Sequence, residues 1–216
     1  MSTNTGTPKE YTLNGNTIRS SMTRSPVKDG IEVTFLRVVG DEFDAAKIHG
    51  IREAVVYALS NDFYADFSKS LSRPVNIGSF GENLTMNHLD EKSVMIGDEY
   101  EIGSVRLKVT GPRSPCNRLN FAFQSPSAQE TFVEFGRPGV YFEVLSEGRI
   151  RTGDVLKLVK SQGSSYSVAE LFRLWKLQRE VSLGRRELET VRHEFRKLVE
   201  DDSVSDFLRS RFRKSI

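Results

Sequence analysis

The chain contains a single cysteine, Cys116, within Gly111-Pro112-Arg113-Ser114-Pro115-Cys116-Asn117-Arg118-Leu119-Asn120. Two prolines and a glycine make this a stiff, irregular loop, of the kind that displays side chains rather than burying them. Arg113 and Arg118 flank the thiol, and nearby cations favour the thiolate, which is the nucleophilic and metal-ligating form. Two readings stay open from these residues alone: a small buried hydrophobe, or a reactive or ligating sulfur. The three histidines, His49, His88 and His193, are scattered. With one cysteine they do not approach the spacing of a zinc site. Gly78 and Gly81 lack both the spacing and the strand–helix context of a dinucleotide fingerprint.

Pro112-Arg113-Ser114-Pro115-Cys116-x-x-Leu119-Asn120, preceded by Phe80-Gly81-Glu82-Asn83-Leu84, closely resembles the MOSC domain, the C-terminal domain of molybdenum cofactor sulfurases. More narrowly, it is similar to the stand-alone bacterial branch that confers resistance to hydroxylaminopurine. Gly40-Asp41, Asp44, His49-Gly50 and Ile96-Gly97-Asp98 extend the match, which covers roughly Ser20 to Lys160. One stretch departs from the pattern. The family's His-Gly-Gly-x-Asp, followed by a basic residue, Ala and Val, is here His49-Gly50-Ile51-Arg52-Glu53-Ala54-Val55. It lacks the second glycine and the aspartate and is one residue shorter, which bears on the substrate more than on the class of cofactor.

The resemblance implies a β-barrel, a molybdenum cofactor (molybdenum held by a pterin dithiolene) and Cys116 as the metal ligand, a soft donor for a metal already bound through sulfur. It further implies cations for the pterin phosphate. Arg113 and Arg118 are the first choices, because guanidinium forks match phosphate oxygens. Arg24 falls where this branch usually carries a lysine, and Asn120 offers a donor and an acceptor to the pterin edge. His49 would orient Cys116 or pass a proton to a substrate oxygen, whereas taken alone, without the resemblance, it reads as structural. Glu82 and Asn83 line the site or brace a turn. The implied activity is a molybdenum-dependent oxidoreductase that removes oxygen from small N-hydroxylated compounds such as hydroxylaminopurine bases, in detoxification. A separate reductase would supply the electrons. Two alternatives stand beside it: a carrier of sulfur or of the cofactor that uses a Cys116 persulfide, and a non-catalytic binding module working through its C-terminal helices.

The elements expected to position these residues are mostly strands. Val105, Leu107 and Val109 alternate with Arg106, Lys108 and Thr110, the period of a half-buried strand that ends at the Cys116 loop. Val140 to Leu145 and Val155 to Val159 read the same way, with turn signals at Gly97-Asp98, Gly103-Ser104, Gly148 and Gly153-Asp154. The two Gly-Asp pairs are tight turns before strands. One helix is expected at Asn61 to Leu71, where Phe63, Phe67 and Leu71 recur every fourth residue. After the linker Gln162 to Ser165, with Ser167 as a cap, three apolar stripes predict three short helices: Leu171, Leu174 and Trp175; Leu188, Val191, Phe195 and Leu198; Val204, Phe207, Leu208 and Phe212. The expected fold is therefore mainly β, a MOSC-type antiparallel barrel over residues 16–160, with a flexible tail at 1–15 and a three-helix appendage at 161–216.

Composition sets outer limits. The 216 residues carry 14 Phe and 38% hydrophobic residues, enough to fill a core, and 31 basic residues against 29 acidic leave a net charge of +2. That balance speaks against a dedicated nucleic-acid binder and against wholesale disorder. The basic run Arg192, Arg196, Lys197, Arg209, Arg211, Arg213 and Lys214 is interleaved with Glu194, Glu200, Asp201 and Asp202. It reads as solvated helix faces, with a surface for nucleic acid or an acidic partner protein as the alternative. One cysteine forbids an internal disulfide. No apolar run reaches the roughly eighteen residues of a membrane span, and the first ten residues show no signal-peptide pattern. A cytoplasmic protein without a membrane partner is the expectation.

Overall fold

The computed structural model describes residues 1–42 and 52–216. The strands are β1 (Ser2–Thr5), β2 (Lys9–Leu13), β3 (Asn16–Ser20), β4 (Ser25–Pro26), β5 (Ile31–Val33), β6 (Val56–Ser60), β7 (Leu84–Met86), β8 (Glu99–Ile102), β9 (Val105–Pro112), β10 (Val140–Ser146), β11 (Gly148–Ile150) and β12 (Lys157–Lys160). The α-helices are α1 (Asp62–Ser70), α2 (Arg118–Ala122), α3 (Ala128–Phe135), α4 (Val168–Ser182), α5 (Arg192–Glu200) and α6 (Asp206–Phe212).

The main sheet has the order β12-β8-β9-β10-β6-β7-β1-β4, while β11 pairs with β5 and β2 with β3 in two small ribbons. The expected closed antiparallel barrel is corrected on two counts. Among the described residues the sheet ends on two different strands, β12 and β4, and so is open. It is also mixed: β6 and β7 run parallel, because α1 lies between them and a crossover of that kind returns the chain in the same direction. Helix and strand claim comparable shares of the chain, so "mainly β" gives way to a mixed, sheet-rich fold.

Where the pattern was strong, the elements follow it. β9 buries Val105, Leu107 and Val109 and turns Arg106 and Lys108 outward. α1 runs between its caps Asn61 and Leu71 and buries Phe63 and Phe67 completely. Ser167 caps α4 by accepting from the Glu170 amide at 3.1 Å, satisfying one of the donors a helix start leaves open. Ser205 does the same for α6 with Leu208 at 3.4 Å. The stripe that began at Leu188 starts as a 3-10 turn and becomes α5 only at Arg192.

The flexible-tail expectation for residues 1–15 is also corrected. β1 pairs with β7 and β4, and Thr3 and Asn4 are fully buried. The side-chain amide of Asn4 donates to Thr85 at 2.9 Å and to the Glu82 carbonyl. A polar segment can be buried this way because its polar groups find hydrogen-bond partners inside, Thr3 on the Val27 carbonyl and Asn4 on Thr85 and the 82–83 backbone.

Two apolar clusters hold the molecule together. In the larger one, the sheet residues Val105, Leu107, Val109, Phe142 and Val144 share a core with Val168, Leu171, Phe195, Leu198, Leu208 and Phe212 of the C-terminal helices. The second is aromatic and surrounds Phe80, whose ring lies 4.8 to 5.7 Å from those of Phe63, Tyr64, Phe67, Phe123 and Phe132. These edge-to-face and tilted pairs suit the ring quadrupoles. β12 is an edge strand with all four residues exposed.

Candidate functional site

β9 delivers the chain to Pro112, and the backbone then leaves the sheet as an irregular loop until α2 starts at Arg118. Cys116 is free and exposed at the end of this loop, which decides against the buried-hydrophobe reading. Its carbonyl accepts from the Leu119 amide at 3.1 Å, and the carbonyl of buried Pro115 accepts from Gln129 of α3 at 3.1 Å. The loop is thus tied down on both sides of the thiol while the sulfur faces water.

Arg113 turns the other way. It is 5% exposed, donates to the Phe80 carbonyl, and meets the Met22 sulfur at 3.1 Å. Its guanidinium carbon lies 5.0 Å from the centre of the Tyr57 ring and 5.8 Å from that of Phe132, distances at which aromatic faces stabilise a cation. Burial opposes the charge. The Tyr57 and Tyr141 hydroxyls and the Cys116 sulfur outweigh it and hold the Arg113 pKa above the ordinary arginine value. No carboxylate lies within ion-pair distance of Arg113 among the described residues.

Phe80, Glu82 and Asn83, the heart of the second motif, form the support beneath that arginine. Glu82 is fully buried. Its Oε1 accepts from the Tyr64 hydroxyl, from the Gly78 amide at 2.7 Å and from Thr85 at 2.8 Å. Burial, then the neighbouring Glu82 carboxylate, push the Tyr64 pKa far up, so Tyr64 stays a neutral donor. Asn83 accepts from the Tyr57 amide at 3.1 Å and donates to Asp41 at 3.1 Å. Both residues therefore brace a turn rather than line an open site. Glycine is required at Gly78 and Gly81. Both have positive φ, and a Cβ would lie 2.3 Å from the Arg24 carbonyl at the first and 2.8 Å from the Met22 carbonyl at the second. The side-chain-free approach is what brings the segment 22–24 against the Phe80 turn.

Arg24 is drawn into the same support but is committed inward. It binds Asp41 through two nitrogens, Nε at 2.9 Å and Nη2 at 2.5 Å, and both side chains are buried. Asp41 also accepts from the Gly6 amide at 2.9 Å. Its charge being neutralised there, Arg24 is a brace of the 78–81 turn in this structure. The Asn120 carbonyl oxygen is likewise occupied: it accepts from the Gln129 amide at 2.8 Å and links α2 to α3. Arg118, by contrast, is partly exposed at the start of α2 and has no acidic partner among the described residues. His49, with Asp44 and Gly50, lies outside the described residues. The described chain resumes at the turn Arg52–Ala54, where the Glu53 carbonyl accepts from Thr110, three residues before Arg113. Glu53 of the altered stretch thus abuts the end of β9.

Two residues at the site were not picked out by sequence reasoning. Tyr141 of β10 pairs with Gly111, meets Tyr57 in a tilted ring contact at 5.0 Å, and is half-buried within electrostatic reach of Arg113. A signal existed: Val140 and Phe142 fill the core, so the alternation turns Tyr141 to the other face. Arg211 of α6 donates to Ser114 at 3.0 Å, and nothing in the local sequence announces that contact.

Among the described residues no cluster of His, Cys, Asp and Glu could hold a metal ion by itself, and no helix is long and apolar enough to cross a membrane. Residues 45–157 match the model of the MOSC domain. The chain is 30% identical over 168 residues to YflK of Bacillus subtilis, a protein described as uncharacterized, covering 78% of this chain and 76% of that one. It is 35% identical over 151 residues to a protein of Gibberella moniliformis named "Reductase", covering 68% of this chain but only 27% of that longer protein. The crystal structure of YiiM from Geobacillus stearothermophilus superposes with a TM-score of 0.75 at 26% identity, over 99% of this chain and 96% of that one. An exposed cysteine in a motif that Arg113 ties to the Phe80 motif, the match to the domain model over half the chain, and the agreement with these relatives lead to one conclusion: the chain belongs to the MOSC domain family.

Proposed function

We propose that the protein is a molybdenum-cofactor-dependent reductase of small N-hydroxylated compounds, with Cys116 as the protein's ligand to the metal. The observation that carries this reading is an exposed thiol on a pinned loop, with the carboxylate-free Arg113 buried behind it. A soft donor open to solvent suits a metal that arrives already held by sulfur. The likeness to a fungal protein named "Reductase" agrees with redox chemistry.

The residues present fit such a group in part. Cys116 would hold the metal and Arg118 would meet phosphate oxygens at the loop's edge. Arg113 would act from below, balancing negative charge on the sulfur and fixing the loop through Phe80. Arg24 and Asn120 are turned inward and would serve as supports. When bound, the cofactor supplies the two-electron chemistry that removes a hydroxyl oxygen from nitrogen. The proton needed as that oxygen leaves would come from a group facing the site, and the half-buried Tyr141 hydroxyl stands within electrostatic reach of Arg113. The electrons would come from a separate reductase.

The test is the molybdenum content of the purified chain from cells that make the cofactor, wild type against Cys116→Ser. Metal near one equivalent in the wild type, lost in the variant, is expected, together with reduction of a hydroxylamino base by the loaded wild type alone. Wild-type protein free of metal, with sulfane sulfur on Cys116, would overturn the reading in favour of sulfur transfer.

A further inference from the structure

The C-terminal helices carry many arginines, and most are neutralised on their own surface. Arg173, Arg179, Arg186, Arg192, Arg209 and Arg213 each hold a glutamate or aspartate within 4 Å. Arg211 does not. Its guanidinium lies 6.0 Å from the Phe207 ring and donates to the neutral Ser114 hydroxyl at 3.0 Å, and no carboxylate is paired with it among the described residues. Burial pushes its pKa below the ordinary arginine value, with Tyr141 acting in the opposite sense. The residue is nevertheless exposed, so this cation, without a counter-charge on its own surface, is open to an arriving anion.

Its neighbours point the same way. α6 packs on the end of β9: a Cβ placed on Gly111 would lie 3.3 Å from the Leu208 side chain. The Arg211 backbone carbonyl is held by Gln178 of α4 at 2.8 Å. Three arginines without acidic partners, Arg113, Arg118 and Arg211, therefore converge on the loop 111–118, two from the loop itself and one from a helix nearly a hundred residues further along the chain.

We propose that Arg211 is an anion-binding residue of the Cys116 face, so that the last helix of the chain contributes directly to the site and the ligand presents a negatively charged oxyanion there. This rests on the Cys116 loop being the site, and it requires no metal. Ser114 aims the guanidinium, and Phe207 carries its flat face.

The test uses the full chain from cells that do not make the cofactor, where the one cysteine makes alkylation specific. Rates are measured at one pH and low salt with iodoacetate, an anion, and with iodoacetamide, its neutral counterpart. The ratio of the two rates cancels the thiolate fraction and reports local charge. Arg211→Gln is expected to lower that ratio about threefold, a size set by one unit charge at this range near a surface. Added salt should erase the difference. Arg211→Lys should retain most of the ratio, and Arg213→Gln should leave it unchanged. An unaltered ratio in Arg211→Gln, or an equal loss in Arg211→Lys, would overturn the proposal. Given the expected ratio, a second measurement assigns the oxyanion. Reduced metal content of Arg211→Gln from cofactor-making cells places it on the cofactor, and unchanged content places it on the substrate. Because the alkylation ratio involves no metal, it can stand if the reductase reading falls, and fall if that reading stands.

Discussion

Arg24 and Asp41 face each other with two nitrogens on two oxygens where water scarcely reaches, and Asn83 and the Gly6 amide complete the aspartate's shell. Such a pair owes its standing to geometry: the cost of removing both charges from water is offset only when each lone pair is met. Removing either side chain takes this buried two-point contact away from the other. Asp41→Ala is therefore expected to cost about 3–5 kcal/mol in urea unfolding, with Arg24→Met in the same background recovering part of that loss. Glu91 is the opposite case. Its carboxyl is 4% exposed, and burial raises its pKa in spite of Arg137 and the Gly139 amide. A folded-state pKa above the unfolded one means that the native state binds the proton more tightly. Stability contributed by the protonated form is thus full in acid and lost as pH rises past the ordinary glutamate range. Glu91→Gln, which can keep the Gly139 contact, is expected to raise the melting temperature at about pH 7 and to leave it unchanged at about pH 4.

At the scale of elements, the aromatic cluster and the Cys116 loop are one mechanical unit. Phe80 is fully buried among five rings, and its carbonyl is the acceptor for Arg113. α1 and α3 supply the rings, the 78–81 turn supplies the carbonyl, and the end of β9 supplies the arginine. Phe80→Ala is expected to destabilise the fold by about 3–5 kcal/mol, the usual cost of emptying an aromatic site. It should also raise hydrogen exchange in the amides of 113–120, because the loop loses its anchor. Phe80→Leu should retain most of the stability. This much could be anticipated in part. The fourfold spacing of Phe63 and Phe67 announced α1, and the alternation of Val105, Leu107 and Val109 announced the strand that ends at the site. α2 and α3 were not anticipated: α2 has five residues and buries only Leu119, and α3 buries Ala128 and Phe132 in the aromatic cluster, so tertiary packing rather than a local stripe places them.

At the scale of the whole molecule, the C-terminal helices are not an accessory. Val168, Leu171, Phe195, Leu198, Leu208 and Phe212 lie in the same apolar cluster as the strands β9 and β10. A chain ended at Lys160 is therefore expected to lose cooperative unfolding and its near-ultraviolet circular dichroism, since it would expose that face of the sheet to water. Retention of a sharp two-state transition by the truncated chain would show that the sheet folds independently.

The sequence by itself singled out Cys116, the residue on which the proposed chemistry rests, and much of the frame around it. One cysteine flanked by two arginines and preceded by two prolines, with Phe80-Gly81-Glu82-Asn83 as a second motif, marks a local pattern that needs no partner distant in sequence to be read. Period and capping residues marked α1, β9, β10 and α4 for the same reason: they report local geometry, which residues a few positions apart decide. Tertiary structure alone decided which charges are free to act. Arg24 and Arg113 are alike in sequence, yet Asp41 neutralises one and aromatic rings shelter the other. Arg211 was one basic residue in a mixed run until α6 was laid against β9. The N-terminal segment looked loose because it is polar, and only its pairing with β7 and β4 shows that its hydrogen bonds are met inside. Charge pairing and burial depend on contacts between elements far apart in the chain, and local residue order carries no record of them.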